Sequence, residues 1–450
     1  MNPFSDLMRV PAGRRRFLSG LAATFAGVGM APWLPSLAKA AAEAGKPRRC
    51  ILLWMTGGPS QTDTFDMKPG HANGGTFKEI ATSAPGLRFS EHLPRLAKQA
   101  EHLAVLRGLS TAEGDHGRGT FLMRTGRRPE AEIRYPTLGS LLSKELAAEE
   151  AARSPLPDYV SVNPFLEFDS SAYESGFLGP RYAPLTVRPR LQTADSGPFA
   201  ELGVDHLRLP GGVSKKNARE RLDLLGSLQE EQVGVKPTGP LLSHHATLER
   251  AIRLMSSDAG KVFDLSDEPA AVREKYGPGT FGQGCLLARR LIERGASFVE
   301  VSLGDSGRWD THNDNFSAVQ QLSTELDAGW GSLMEELADR GLLESTTILW
   351  MGEFGRTPQI NGGGGRDHYP GAWTAVLAGG GIRGGQAYGR TSADGMTVEE
   401  GKIGVGDLLA TLCGALGIDP KRQNVSDIGR PFKIAEGKPI AEVVRTPPAS

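Results

Sequence analysis

Residues 48–56 have the sequence R-R-C-I-L-L-W-M-T, and this stretch decides the fold class. Its centre is continuously apolar, as is typical of a parallel strand buried on both faces. Similar apolar runs follow at 103–109, 297–303, 346–351 and 375–381. Because segments of helical pattern separate most of them, the sequence predicts an α/β fold. We expect a doubly wound and mostly parallel sheet with helices on both faces.

Helices are predicted between and after these runs. Pro136 suits the first turn of a helix in Y-P-T-L-G-S-L-L-S-K-E-L-A-A-E-E (135–150). Other helices are expected over 92–101, 281–294, 316–340 and 403–417.

Residues 153–275 break this alternation, since they begin with a region rich in Pro, Gly and aromatic residues. We expect a large irregular insertion here, with charged helices near 215–235, 241–257 and 267–275.

The chain has 450 residues, of which 39% are hydrophobic, and a formal net charge of −1. The apolar content suffices for a large core, and the near-neutral charge argues against a nucleic-acid or anionic-membrane partner. At roughly 100–200 residues per domain, the length allows two or three domains or one large α/β domain with insertions. We expect the latter over 43–450. The sequence does not indicate an oligomeric state.

The N-terminus is typical of an export signal. Arg14-Arg15-Arg16-Phe17-Leu18 precedes a mildly apolar stretch at 21–35 and the small-residue sequence A-K-A at 38–40. This order predicts a twin-arginine signal over 1–42, cleaved near Ala40 or Ala42. The apolar stretch is too short and too interrupted by Pro and Gly for a membrane span. We therefore expect a periplasmic or secreted protein with no membrane span after signal removal.

Polar strings follow two of the apolar runs directly. R-W-D-T-H-N-D-N (308–315) follows 297–303, and in open α/β sheets ligands bind beyond the carboxyl ends of the strands. Asp310 and His312 can point into one cleft if the backbone stays extended there, and a carboxylate with a neutral imidazole is a normal ligand pair for a divalent metal. Taken alone, the pair favours a simpler interpretation, in which Asp310 caps the next helix and His312 is a surface residue.

The second string, G-E-F-G-R-T-P (352–358), follows 346–351 and runs on to G-R-D-H-Y-P (365–370). Glu353 lies between glycines, where helix capping does not explain it. Asp367 is either a further ligand or the carboxylate that orients His368. Arg356 either pairs with Glu353 or binds an anionic substrate.

Two further loops carry candidate residues. After the first run, Gly57-Gly58-Pro59 predicts a turn that brings backbone close to a ligand, and Ser60, Asp63 and Asp66 follow it. After the run at 103–109, Asp115-His116-Gly117-Arg118 (115–118) opens a helix whose N-terminus favours a bound anion.

These strings resemble a bacterial family of unknown function, the domain-of-unknown-function 1501 family, which is exported by the twin-arginine route and often called sulfatase-like. The family is similar to the alkaline phosphatase and sulfatase superfamily, whose members use two divalent metals and a nucleophile at a helix start. The resemblance therefore implies an alkaline phosphatase-like fold. The strings G-G-P-S-Q-T-D-T-F-D, D-H-G-R-G-T, W-D-T-H and G-E-F-G-R-T-P…G-R-D-H-Y-P occur in the expected order across nearly the whole mature chain.

The resemblance implies a metal site formed by Asp310, His312 and His368. It also implies that Glu353 takes the place of the Asp in the superfamily's Asp-His-Gly motif, so that Phe354 replaces the imidazole and the second site loses a ligand. Gly57-Gly58 replaces the first-strand Asp, for which Asp63 or Asp66 would have to substitute. His116 falls at the nucleophile position, where no Cys, Ser or Thr is available for a covalent mechanism.

Together these features predict an exported metal-dependent hydrolase of phosphate or sulfate esters that uses a metal-activated water. The substrate would be a small anionic or glycan ester. One or two divalent ions are expected, and the mixed ligands suit zinc, manganese or iron better than calcium. His116 would be a general acid or base, with Arg118 and Arg356 neutralising the ester. Ser60 and Asp115 complete the candidate catalytic residues.

The alternative is an exported, non-catalytic binding protein for anionic glycans or a protein partner. The missing nucleophile and the replacement of the imidazole by Phe354 favour it. A phosphosugar isomerase or mutase ranks behind both because it needs the same missing phospho-acceptor.

Overall fold

The computed structural model describes residues 48–147 and 258–445 without a break, and between them 156–193, 196–205, 207, 211–235, 245, 247–249, 251–252 and 254–255. The predicted signal at 1–42 and most of the helix predicted over 241–257 lie outside the described residues.

A nine-stranded sheet forms the centre of the described part of the chain. Its strands are β1 (Arg49–Met55), β2 (Leu103–Leu109), β3 (Tyr159–Val162), β4 (Leu185–Pro189), β5 (Leu202–Gly203), β6 (Phe298–Leu303), β7 (Thr346–Met351), β8 (Trp373–Gly379) and β9 (Gln386–Tyr388). They lie in the order β9-β2-β8-β7-β1-β6-β3-β4-β5. Only β8, which runs against both its neighbours, and the edge strand β5 break the parallel arrangement of this sheet. The predicted mostly parallel sheet is confirmed.

Helices cover both faces of the sheet, as predicted. Those in the described residues are α1 (Pro94–Lys98), α2 (His116–Thr125), α3 (Leu138–Leu146), α4 (Lys215–Val235), α5 (Ala270–Tyr276), α6 (Thr280–Glu293), α7 (Asn315–Asp339) and α8 (Val405–Ala415). Helices α1, α5, α6 and α7 bury side chains in the core on one face. Helices α3 and α8, with the middle of α2, fill the core on the other.

Strand β1 explains why its sequence is apolar at consecutive positions. Leu53 and Met55 point into the core on one face, and Leu52 and Trp54 point into the core on the other. All four are almost completely buried. Side chains of a strand alternate between faces, so a strand covered on both faces needs an apolar residue at every position.

One charge interrupts the apolar centre. Glu300 on β6 is fully buried, and Arg124 of α2 donates to both of its carboxylate oxygens at 2.8 and 2.6 Å. Tyr159 donates to the same carboxylate at 2.8 Å. A buried charge is tolerated only when it is paired and hydrogen-bonded, and this pair ties α2 to the sheet.

The segment 153–275, which the sequence assigns to an irregular insertion, contributes β3, β4 and β5 to the sheet beside β6. These strands have five residues or fewer, too short for periodicity to reveal them. At least this part of the segment is integrated into the central fold. No helix in the described part of the chain has both the length and the apolarity of a membrane span.

Candidate metal centre

The strand order brings the polar loops together. Strand β1 lies between β6 and β7 and is parallel to both, so the loops after these three strands leave the same edge side by side. At Gly57 the backbone has φ +111°, and an added Cβ would lie 2.5 Å from the backbone nitrogen of Asp310. Only glycine therefore lets the loop after β1 approach the loop that carries Asp310.

Helix α2 supplies the fourth polar element. It begins at His116, and the side chain of Asp115 caps it by accepting a hydrogen bond from the backbone of Arg118 at 3.0 Å. Gly119 faces the ring of Phe354, where an added Cβ would lie 3.1 Å away. The cap and this close approach place His116 against the loops that follow β6 and β7.

Three imidazoles converge on one carboxylate oxygen. Asp310 Oδ1 lies 3.0 Å from His312 Nε2, 3.1 Å from His368 Nε2 and 3.3 Å from His116 Nε2. His312 Nε2 and His368 Nε2 are 3.1 Å apart. The residues that the resemblance implies for one metal site therefore meet, and His116 joins them. We call Asp310, His116, His312 and His368 the His/Asp cluster.

The other nitrogen of each imidazole faces an acceptor. His312 Nδ1 lies 2.7 Å from Asp367 Oδ1, and His116 Nδ1 lies 2.7 Å from Glu353 Oε1. His368 Nδ1 lies 2.7 Å from the carbonyl oxygen of Gly114. These acceptors assign the proton to Nδ1 in each neutral ring and leave a lone pair on Nε2. This is how proteins orient histidine ligands of metals.

The consequence is a set of lone pairs that face one another. His116 Nε2 is buried and makes no hydrogen bond of good geometry within the described residues, although Asp310 Oδ1 is 3.3 Å away. Protons on the imidazoles or a metal cation can relieve the repulsion. Ligand atoms of His116, Asp310 and His368 all lie within 4.8 Å of one another. Such nitrogen and oxygen donors suit zinc, manganese or iron better than calcium.

The charges of the His/Asp cluster shift its pKa values. Burial alone would lower the pKa of His116, but its contacts with the carboxylates of Asp310 and Glu353 raise it to about 9. Burial alone would raise the pKa of Asp310. Its contacts with His116 and His368 and the charge of Arg356 instead hold that pKa well below its usual range. Asp310 is therefore a carboxylate at neutral pH.

Glu353 and Arg356 are buried residues that contact members of the His/Asp cluster. Glu353 is fully buried, and its Oε1 accepts from the backbone nitrogen of Gly57 at 2.9 Å as well as contacting His116. Arg356 is also fully buried; its Nη2 lies 2.6 Å from Asp310 Oδ1, and its Nε donates to the carbonyl of Gly58 at 3.0 Å. Burial lowers the pKa of Arg356. In this position, Arg356 holds the carboxylate of Asp310 in a fixed orientation.

Asp63 and Asp66 have other partners. Both oxygens of Asp63 bind the guanidinium of Arg366, at 2.8 and 2.9 Å, and Asn315 donates to Asp63 at 2.8 Å. Asp66 accepts from Thr391 at 2.5 Å and from Lys68 at 3.0 Å. Within the described residues, neither carboxylate bonds to a member of the His/Asp cluster. The structure thus does not bring them together with Asp310.

The remaining candidates lie around α2 and after β1. Asp115 is the cap of α2, and Arg118 is largely exposed and pairs with Glu113 at 3.0 Å. Ser60 is buried, and its hydroxyl has no hydrogen-bond partner among the described residues.

Comparison with known proteins places the chain in a family. Residues 47–444 match the family described as "Protein of unknown function (DUF1501)". The chain belongs to this family. The resemblance stated from the sequence is confirmed, and no curated protein matches the chain. The family description assigns no activity.

Several solved structures are similar to this chain. A sulfatase from Pseudoalteromonas sp. is 14% identical, with a TM-score of 0.39, and the match covers 86% of this chain and 70% of the sulfatase chain. A protein in the alkaline phosphatase superfamily from Vibrio parahaemolyticus is 10% identical, with a TM-score of 0.36, covering 83% and 67%. The lipoteichoic acid synthase LtaP from Listeria monocytogenes is 10% identical, with a TM-score of 0.38, covering 84% and 74%.

Phe168 is a residue of the site that no sequence motif indicates. The ring of Phe168 stacks on His116, with centroids 4.2 Å apart and planes 11° from parallel. Phe168 lies in the loop after β3, in the segment assigned to an insertion, and no motif marks it. Only the pairing of β3 with β6 brings this loop to the crevice, and that pairing has no local signal.

Proposed function

We propose that this protein is an exported, metal-dependent hydrolase of phosphate or sulfate esters. The observation that carries the proposal is the convergence of three imidazole Nε2 atoms on Asp310 Oδ1, with every Nδ1 held by an acceptor. A structural polar network would leave donors facing acceptors. With neutral imidazoles, acceptors face acceptors here, which suits a metal cation.

Asp310, His312 and His368 would hold the ion, and His116 would stay outside the ligand set with its Nε2 free for proton transfer. A divalent ion supplies a Lewis acid that lowers the pKa of an attacking water and offsets charge on the ester. Zinc, manganese or iron is expected from the donors.

The residues of the chain have separate tasks in this proposal. Arg356 holds Asp310 through its Nη2, and Asp367 holds His312. Glu353 orients His116, which is the group placed to exchange a proton with the leaving oxygen. Arg118, in the first turn of α2, is exposed and so remains able to meet an anionic substrate.

Export rests on the N-terminal sequence, where the arginine run, the apolar stretch and A-K-A stand in the order of a twin-arginine signal. We infer a periplasmic or secreted protein. The twin-arginine route carries folded cargo, so a metal could be loaded before export.

Elemental analysis tests the proposal. The natively exported protein should contain a near-stoichiometric transition metal, and His312→Ala combined with His368→Ala should lose it. His92→Ala combined with His102→Ala is the matched control, because these half-buried histidines bond to no member of the His/Asp cluster among the described residues. Metal-loaded protein should then hydrolyse 4-nitrophenyl phosphate or 4-nitrophenyl sulfate. Folded wild-type protein without metal would contradict the proposal.

A non-catalytic binding protein is the second candidate. Among the described residues, no Ser, Thr or Cys side chain hydrogen-bonds to a side chain of the His/Asp cluster, as a nucleophile activated by one of its imidazoles would. Phe354, fully buried, stands beside His116 and His368. Anion binding that survives chelation, with no ester turned over, would favour this candidate.

A further inference from the structure

Two phenylalanines stand beside the His/Asp cluster. Phe168 lies flat on His116, and Phe165 meets Phe168 edge-on, with centroids 4.9 Å apart and an interplanar angle of 82°. Both residues are half-buried, so each keeps some surface exposed to solvent. We call Phe165 and Phe168 the aromatic wall. Large apolar groups kept partly exposed beside a polar site are typical of ligand-binding surfaces.

The surroundings of the cluster differ from side to side. Its inner side is closed by Glu353 and Phe354, which are fully buried. His312 and Asp367 form a polar rim, with side chains 41% and 53% exposed. The aromatic wall covers His116. A ligand that reaches Asp310 therefore has charged groups available on the rim and apolar rings available over His116.

The loop that carries the wall is held in place. An added Cβ at Gly117 would lie 2.9 Å from the carbonyl oxygen of Phe168, and one at Gly307 would lie 3.0 Å from its ring. Asp169, the next residue, accepts a hydrogen bond from the backbone of Ser171 at 2.9 Å. Two glycines thus make room for Phe168.

Resting on the proposed function, we propose that the aromatic wall binds the apolar face of a ring that carries the ester. The preferred substrates are then phosphate or sulfate esters of sugars or aryl alcohols, not small alkyl esters or the free anions. The anionic group would lie at the His/Asp cluster. The CH-rich face of a sugar, or the face of an aryl ring, would cover the exposed parts of Phe165 and Phe168 and release water from them.

A purely structural role for Phe168 makes a different prediction. If stacking only holds His116 in its plane, removal of the ring should weaken ring-bearing and ring-free ligands equally. Under the proposal, removal weakens only the ring-bearing ones. Aromatic contacts of this kind change affinity by about two- to tenfold.

Calorimetry on metal-loaded protein separates the two roles. The probes are glucose 6-sulfate against inorganic sulfate, and glucose 6-phosphate against inorganic phosphate. In one of these pairs wild type should bind the sugar ester more tightly than the anion, and Phe168→Ala should reduce that preference by about two- to tenfold. Phe177→Ala is the matched control, because Phe177 is also half-buried but stacks on Phe432, 5.9 Å away. This control should keep the wild-type preference.

Turnover adds a second readout. Phe168→Ala should raise KM for a 4-nitrophenyl ester and leave KM for the methyl ester unchanged. No preference for sugar esters in wild type, an unchanged preference in Phe168→Ala, or an equal loss for both ligands of a pair would overturn the proposal. If Phe168→Ala does not fold, Phe168→Leu and Phe165→Ala are measured instead. If wild type binds sugar esters but hydrolyses none, the proposed hydrolase activity is refuted. The binding preference then still tests whether the aromatic wall contacts the sugar ring.

Discussion

Two carboxylates, Asp63 and Asp310, lie near the same edge of the sheet but differ in burial and in their hydrogen-bond partners. Asp63, after β1, is fully buried, and both of its oxygens bind Arg366. Asp310, after β6, is partly exposed and shares one oxygen among three imidazoles and Arg356. The first group is closed and satisfied. Around Asp310, by contrast, the carboxylate oxygen and the Nε2 atoms of neutral imidazoles are all hydrogen-bond acceptors, and they face one another.

The difference shows that a carboxylate after a strand is not enough to make a ligand. The bidentate contact with Arg366 neutralises Asp63 and uses its oxygens, so Asp63 ties loops together. Arg366 also donates to the carbonyl of Asn73 at 2.9 Å. Asp310 is instead held by Arg356 on one side while the imidazoles keep Nε2 directed at it. The partners of each carboxylate therefore separate a structural clamp from a candidate metal ligand.

The largest effect on the free energy of unfolding is expected from breaking the ion pair between Asp63 and Arg366. Asp63→Ala leaves Arg366 buried without its counter-charge, which should lower the free energy of unfolding by about 3–5 kcal/mol. Urea unfolding measures this. Metal content per folded molecule should stay at the wild-type value, because Asp63 does not bond to the His/Asp cluster. Loss of metal with stability unchanged would reverse the two assignments.

A smaller effect is expected where the loops touch. In Gly57→Ala the new Cβ would lie 2.5 Å from the backbone of Asp310 at φ +111°, so we expect a loss of about 1–3 kcal/mol and weaker metal binding. Gly86→Ala is the control: φ there is +81°, and the added Cβ meets nothing within 4 Å. It should cost stability through strain alone and leave metal content unchanged. Equal metal content in the two variants would contradict the close approach as the cause.

The smallest effect is expected at the rim. Asp367→Asn weakens the contact that orients His312, and loss of such partners lowers metal affinity by about 10- to 100-fold. Stability should change little, since Asp367 is largely exposed. A competition titration with a chelator measures the affinity. Asp419→Asn, at an exposed turn where Asp419 accepts from Lys421, should bind metal like wild type.

How far the sequence predicts the molecule follows from the range of each interaction. The sequence predicts the strands at 103–109 and 346–351 with their exact bounds, because continuous apolar runs are local signals. The direction of β8 was not predictable, since an apolar run reads the same in a parallel or an antiparallel strand.

The candidate residues divide in the same way. The positions after the strands predict that Asp310, His312, Glu353, Asp367 and His368 meet at one crevice. The resemblance to the family selects three of them, Asp310, His312 and His368, as one metal site. The partner of Asp63 was not foreseeable: Arg366 lies 303 residues away, and nothing local distinguishes Asp63 from Asp310. Phe168 reaches His116 only through the pairing of β3 with β6.

The most direct test of the central claim is anomalous diffraction from crystals of the natively exported protein, recorded on either side of the absorption edge of the metal found by elemental analysis. An ion bonded to Asp310 Oδ1, His312 Nε2 and His368 Nε2 is the result we predict, with Asp63 still bound to Arg366. An ion at Asp63 or Asp66 would contradict this claim. Well-ordered side chains of the His/Asp cluster with no anomalous peak beside them would also contradict it.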